Sequence, residues 1–343
     1  MKNKGNIAIF VSHAGCPHQC SFCDQRKISA AQQIPTLEQV QEICRQAIAH
    51  PRRPKQLEIA FFGGSFTAIP EKEQNALLEA VQPFLAMEGV TGIRISTRPD
   101  CITPEILQRL QQLHVTAIEL GAQSMQDAVL QKNHRGHTAQ DVRNAAKWIT
   151  DAGFSLGLQM MIGLDGSTPE QERETLRELL ALHPDALRIY PLVVLKGTKL
   201  AERVQNGSFV LYDWETVLEL CADALCACQQ QGVRVIRCGL HAEDTVQSEA
   251  IAGFYHPALV ESRLCLRVLK QWMQQHPQET MAEVQIAPGW SSRVAGHHAC
   301  NRTACREAGI SLRIIETAAI PAGMLQIGKD GYDVFQIAGT ARI

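Results

Sequence analysis

At 343 residues, 45% hydrophobic and 20% charged, with a formal charge of -2, the chain has the composition of an ordinary globular protein. That composition excludes disordered and fibrous classes and gives no global electrostatic footprint for nucleic acid or an anionic membrane, while leaving room for a local basic patch. The length suits one large domain and a smaller one.

From residue 7 to about 240, short β-rich runs alternate with amphipathic helical stretches, the pattern of parallel βα units. Strands are expected at 7–11, 57–62, 92–97, 117–120, 154–161 and 186–193, several of them continuous apolar runs of the kind that buried parallel strands need. Helix starts are marked by Thr36 with Gln39, by Thr103 before Pro104, and by Thr168 with Pro169 and Gln171. In the first of these helices Leu37, Val40, Ile43, Ala47 and Ile48 recur at helical spacing and predict one face packed on the sheet. The expected fold class is therefore α/β, a partial (β/α)6 TIM-like barrel, whose chemistry belongs at the C-terminal ends of its strands.

A further run, 233–240, closes or extends the sheet, and the pattern then changes. A helix near 257–275, a strand at 281–287, a helical stretch near 298–308 and three short strands through Ile337 predict a smaller C-terminal α+β module. The resulting division is residues 1–240 and 241–343.

The apolar run before Cys16 is too short for a signal-peptide core or a membrane span, so the expected location is cytoplasmic, with no membrane partner. In that setting 12 Cys point to reduced thiols, some of them metal ligands. Cys44, Cys221 and Cys265 lie in helical patterns where a small buried hydrophobe is expected. Cys16, Cys20 and Cys23 instead form Cys-x3-Cys-x2-Cys directly after the first strand. Three thiolates can hold three irons of a cubane cluster and leave the fourth open to a small molecule. A zinc site completed by His13 or His18 is the alternative, although this spacing is tighter than the common zinc patterns.

With Phe22 immediately before the third Cys, this segment resembles the signature of the radical S-adenosylmethionine (SAM) superfamily. The resemblance implies a 4Fe-4S cluster on Cys16, Cys20 and Cys23, SAM chelated to the open iron, and reductive cleavage to methionine and a deoxyadenosyl radical. It implies that Phe22 packs near the adenine; simple core packing is the other reading. Gly63 and Gly64, after the second strand, correspond to the family's Gly-Gly-Glu turn, with Ser65 in place of the acid. Ser96 and Thr97 fall where the ribose or the SAM carboxylate is bound, and Arg98 reads equally as a carboxylate partner or a surface ion pair. Gln123, Ser124 and Arg135 follow the fourth strand, Met161 to Gly163 the fifth, and Tyr190 the sixth.

The strings FFGGSFT, STRPD, GAQSM, RGHT, MMIGLDG and RIYPLVVLKGT together resemble the radical SAM domain of the Elongator catalytic subunit over roughly 8–240. The last hundred or so residues show no Gly-rich turn leading into a helix for acetyl-CoA, so acetyl transfer is not carried over. The segments CGLHAEDTV and GFYHPALVES resemble a radical SAM C-terminal region, with Cys238, His241 and His256 able to face a substrate or pack in the core. Arg293, His297, His298, Arg302 and Arg306 form a local basic stretch, loosely like a KH module, that suits RNA or a solvated helix. Cys300 and Cys305 read as part of a second cluster or as reduced thiols.

The leading expectation is a radical SAM enzyme acting on RNA, supplied with electrons by flavodoxin or ferredoxin as the family implies. Action on a small metabolite, as in oxygen-independent coproporphyrinogen oxidase, and a non-catalytic iron-sulfur scaffold are the alternatives.

Overall fold

The computed structural model describes residues 4–11, 16, 19–24, 34–239, 248–253 and 257–336. His13, His18, His241, His256 and Ile337 lie outside them. The described residues fall into two compact units, one within Met1–Arg188, Leu192–Leu211 and His241–Phe254, the other within Ile189–Pro191, Tyr212–Leu240 and Tyr255–Ile343.

The principal sheet has seven strands in the order β1 (Lys4–Phe10), β2 (Gln56–Phe62), β3 (Val90–Thr97), β4 (Val115–Gln123), β5 (Ser155–Ile162), β6 (Ala186–Pro191) and β8 (Arg234–Cys238). All six expected strands are present, and the run near 233–240 extends the sheet beside β6. From β1 to β5 every pairing is parallel, and with helices in the connections this is the partial TIM-like barrel expected. The register aligns Ile9, Phe61 and Ile95 across three strands and continues through Ile118 to Leu156, all five fully buried. Because side chains alternate along a strand, this apolar row leaves the neighbouring positions, among them Glu58, Arg94, Ser96 and Glu119, for the opposite face. A short pair, β7 (Val194–Leu195) with β9 (Ala250–Ala252), was not anticipated.

Helix boundaries follow the capping chemistry. Thr36 and Gln39 cap α1 (Leu37–Ala49) reciprocally, Thr103 caps α3 (Pro104–Gln112), and Thr168 with Gln171 caps α6 (Pro169–Leu180). Between them lie α2 (Glu71–Val81), α4 (Asp127–Lys132) and α5 (Ala139–Asp151). The buried face of α1 is set by Val40 and Cys44, whereas Leu37 is 42% exposed. After α7 (Lys199–Gln205), the second unit contains α8 (Trp214–Gln230) and α9 (Pro257–Gln275), tied by ion pairs from Arg263 to Glu215 and from Arg267 to Glu219 and Asp223. Its sheet runs β11 (Ser311–Glu316), β10 (Met281–Ile286), β12 (Met324–Ile327), β13 (Asp330–Asp333). The helical stretch expected near 298–308 is present as α11 (Cys300–Glu307); a further helix, α10 (Ser291–Ala295), precedes it across a turn in which His298 and Ala299 take positive φ. Among the described residues no helix is long and apolar enough to cross a membrane.

Candidate active site and metal centre

The cluster loop leaves the sheet after Val11, whose N–H still donates to Phe62 O on β2 at 2.8 Å. Cys23 N donates to Cys20 O at 3.2 Å, closing a tight turn that holds Ser21 and the buried Phe22. Asn133, fully buried after α4, fixes this turn. Its carbonyl accepts from Ser21 N at 3.1 Å, its Oδ1 accepts from Ser21 Oγ at 2.9 Å, and its Nδ2 donates to Val129 O and Asp165 O, both at 2.9 Å. Leu200 N donates to Ser21 O at 2.9 Å from the other side. Nothing in the local pattern around Asn133 marks it in advance.

Two buried arginines flank the thiols. Arg135 Nη1 donates to Cys20 Sγ at 3.1 Å and Nη2 to Gly121 O at 2.6 Å. Arg98 makes a two-pronged ion pair with Asp100, at 3.0 and 2.9 Å, and also donates to Arg135 O. At 4% exposure it is a brace beneath the site, not a surface pair. Although Cys16 is exposed as a residue, its thiol is raised above the ordinary range, by desolvation first and the Cys20 thiol next, with Arg98 and Arg135 pulling it back down. Among the described residues no three His, Cys, Asp or Glu side chains form a single-ion site. A cubane does not ask for one, since it spreads its thiolate ligands over separate irons.

The strand ends supply polar groups still lacking partners. Ser96 Oγ on β3, Gln123 Oε1 at the end of β4 and Arg135 Nε are all buried without a hydrogen bond. Gln123 is held at φ +68°, a left-handed backbone that few non-glycine residues adopt. Gly121 lies under this group: a Cβ there would stand 3.1 Å from Gln123 Nε2 and 3.4 Å from Arg135 Nη2. Buried polar atoms without partners are costly and rare; those of Gln123 and Arg135, beside Gly121 and Cys20, with Ser96 Oγ on the neighbouring strand β3, fit a polar cofactor held next to a cluster.

Gly63 and Gly64 follow β2 with φ of +80° and +68°, a turn that a Cβ would strain. Ser65 is fully buried, and its hydroxyl is engaged with Thr97 Oγ1 at 2.9 Å and with Arg98 N at 3.3 Å. Thr97 also meets Thr67 Oγ1 at 2.6 Å. Ser65 and Thr97 thus stiffen the turn from behind. Ser124 Oγ accepts from Gln126 N at 3.2 Å in its own loop and meets Thr175 Oγ1 on α6 at 3.4 Å.

Met161 and Gly163 end β5, and Gly163 N donates to Glu172 Oε1 at 2.8 Å. Burial raises the Glu172 carboxyl to about 7, while the amides it accepts from, Gly163 first, pull it down. In the opposite sense, burial and then Arg135 lower His137 to about 4; its Nε2 lies 3.1 Å from Ala122 O. Among the remaining Cys, the expected buried roles are met: Cys44, Cys221 and Cys265 are fully buried. Cys300 is exposed and Cys305 fully buried. Tyr190 is half-buried and Cys238 buried, and both belong to the second unit.

Residues 10–179 match the Radical SAM superfamily and residues 184–271 the Radical_SAM C-terminal domain. The chain belongs to the radical SAM superfamily. A protein of Methanocaldococcus jannaschii described as uncharacterised is 32% identical over 62% of this chain and 68% of its own length. The tRNA uridine(34) acetyltransferase of Methanocaldococcus infernus is 26% identical over 62% of this chain and 48% of its own, so the chain spans about half of that relative. Among solved structures, an N-terminally deleted Elp3 of M. infernus superposes with a TM-score of 0.62 at 22% identity, covering 81% of this chain and 64% of that one. The radical SAM chain is thus similar to Elongator-type proteins in both sequence and fold. Its cofactors as a radical SAM enzyme are a 4Fe-4S cluster and SAM.

Proposed function

We propose that this radical SAM enzyme acts on RNA, within the tRNA-modifying class, with its cluster on Cys16, Cys20 and Cys23 and SAM along the ends of β2 to β5. The observation that supports the placement of SAM is the set of buried polar atoms without partners at the strand ends, Ser96 Oγ, Gln123 Oε1 and Arg135 Nε, with Arg135 in contact with Cys20 Sγ. The choice of RNA is supported by the tRNA-modifying activity named for the M. infernus relative.

Cys16, Cys20 and Cys23 would hold the cluster, which with SAM bound would supply reductive SAM cleavage and radical hydrogen abstraction. The chain's own residues hold and orient. Gly63 and Gly64 offer bare carbonyls to the methionyl ammonium, and Ser65 keeps that turn rigid from behind. Ser96, Gln123 and Arg135 meet the polar groups of SAM. Phe22 packs near the adenine, while Met161 and the backbone of Gly163 back it, with Glu172 fixing the Gly163 amide. Arg135, donating to Cys20 Sγ, spreads positive charge over the cluster side of the site.

In this reading residues 1–240 perform the radical chemistry, residues 241–343 contact the substrate, and a cytoplasmic low-potential flavodoxin or ferredoxin delivers the electron.

The test uses anaerobically reconstituted protein with dithionite and SAM, supplied with bulk tRNA or with a tRNA-free metabolite extract. Deoxyadenosine formation should rise with tRNA, and digested tRNA should contain a nucleoside of altered mass. Stimulation by the metabolite extract alone, with tRNA unchanged, would reject the RNA reading.

A further inference from the structure

The segment Gly296–Ala299, between α10 and α11 of the second unit, has no part in the chemistry above. Gly296 has φ +84°, and a Cβ there would lie 2.6 Å from Cys300 Sγ and 2.7 Å from Asn301 N, so the close approach admits only glycine. His297 and His298 are both exposed, their rings 3.9 Å apart. Behind the loop, Asn301 is buried and its Nδ2 donates to Ser262 O at 3.0 Å, Val294 O at 3.2 Å and Arg293 O at 3.3 Å. The turn is thus short, anchored from within, and presents its backbone and two imidazoles outward.

Beside it, α11 and the start of β11 enclose a cavity of about 530 Å³. Ala299 lines it from the turn, Arg302, Thr303 and Arg306 from the helix, and Thr280 and Ser311 from the sheet side. Among the described residues no carboxylate lines it. Elsewhere in this unit Arg263, Arg267, Arg293 and Arg313 are each paired with a glutamate. Arg302 and Arg306 have no ion pair among the described residues, and both are exposed. Arg302 Nη1 donates to Leu312 O at 2.8 Å, which aims its guanidinium along the groove floor. β11 is the edge strand of its sheet, so the groove is open on that side.

We propose that this groove binds the sugar-phosphate backbone of a short single-stranded RNA segment. Arg302, Arg306 and the amides at the start of α11 take phosphates, and the hydroxyls of Thr280, Thr303 and Ser311 take ribose hydroxyls. Two unpaired guanidinium groups with no acidic neighbour in the lining suit a polyanion, and hydroxyls that both donate and accept suit the 2′-OH. A four-residue turn at a helix start is how compact RNA-binding modules hold a few backbone nucleotides. The choice of RNA rests on the function proposed above.

The experiment uses the full chain and a fluorescein-labelled anticodon stem-loop RNA, with binding read by anisotropy across a salt series. Arg306→Gln is compared with Arg302→Gln/Arg306→Gln, since the single variant leaves the Arg302 hydrogen bond to Leu312 intact. The single variant should weaken binding and lower the salt slope by about 0.7, and the double variant by about 1.4, as expected for one and two lost single-strand phosphate contacts. Deoxyadenosine formed from SAM without RNA should be unchanged in both. If the wild type binds RNA and both variants keep its affinity and slope, the groove assignment is overturned while the RNA reading stands. If the wild type binds no RNA at low salt, the RNA reading fails and the groove assignment with it. Equal affinity for a DNA of the same sequence would overturn the role given to the three hydroxyls.

Discussion

Arg135 and Asn133 hold the thiol loop from different sides, one through Cys20 Sγ and the other through Ser21. Hydrogen bonds to cluster sulfurs and nearby positive charge raise a cluster's reduction potential. Arg135→Gln should therefore make the reconstituted cluster harder to reduce, seen as a more negative midpoint in a redox titration followed by electron paramagnetic resonance. An unchanged midpoint would deny the Cys20 contact in the loaded protein. Asn133→Ala leaves the Ser21 hydroxyl and the Asp165 carbonyl short of partners, a cost of about 2–3 kcal/mol. It should lower both the urea midpoint and the iron bound per chain; normal iron loading would mean the loop is held by other contacts. Glu172 and His137 give opposite pH dependences. The raised Glu172 carboxyl contributes stability that is full below its ordinary 4.5 and lost as pH rises through about 7. The depressed His137 contributes stability present above its ordinary 6.5 and lost as pH falls through about 4. Glu172→Gln should remove the loss toward neutral pH and expose a steeper fall on the acid side, measured by urea unfolding from pH 5 to 8. Parallel wild-type and variant curves would refute this.

Across the elements of the sheet, charged side chains from successive strands join inside the barrel. Arg94 Nε pairs with Glu58 at 2.6 Å and Arg94 Nη1 with Glu119 at 3.4 Å; Arg188 Nε pairs with Glu119 at 2.6 Å and Gln159 Nε2 donates to it at 3.1 Å. Glu119 is fully buried, and Arg188 also stacks 5.1 Å over the Phe62 ring. Removing one partner of such a network leaves an uncompensated buried charge, so Glu119→Ala should cost about 3–5 kcal/mol, read by urea unfolding. A loss under about 1 kcal/mol would mean the network is solvated and of surface type. Gly157 makes room for it, as a Cβ there would stand 2.7 Å from Glu119 Cγ. None of this was legible beforehand, because a Glu or Arg in an alternating strand has the same pattern whether it faces water or a barrel interior. The caps at Thr36, Thr103 and Thr168 were legible because a Thr followed by Gln, or by Pro at the first helical position, states its chemistry locally. The positive φ at His298 and Ala299 just before α11 was not, since neither residue demands a left-handed backbone as glycine does.

For the whole molecule, the alternation of strand and helix was readable through β6, and the spacing of Cys16, Cys20 and Cys23, read with the resemblance to the radical SAM signature, marked the loop proposed as the metal centre. The remainder of the site was readable only as a succession of strand-end motifs. Which of those residues keep a buried polar atom without a partner, Ser96, Gln123 and Arg135, and which are consumed in support, Ser65, Thr97 and Arg98, depends on contacts between strands that no linear pattern records. Similarity to Elongator-type proteins covers about half of the tRNA uridine(34) acetyltransferase relative, and radical chemistry at the three-Cys loop is the function on which the rest depends. The most direct measurement is deoxyadenosine released from SAM by protein reconstituted anaerobically with iron and sulfide and reduced with dithionite, beside a variant with Cys16, Cys20 and Cys23 replaced by Ala. Release by the wild type and none by the variant is the predicted result; a fully loaded wild-type protein that leaves SAM intact would contradict it.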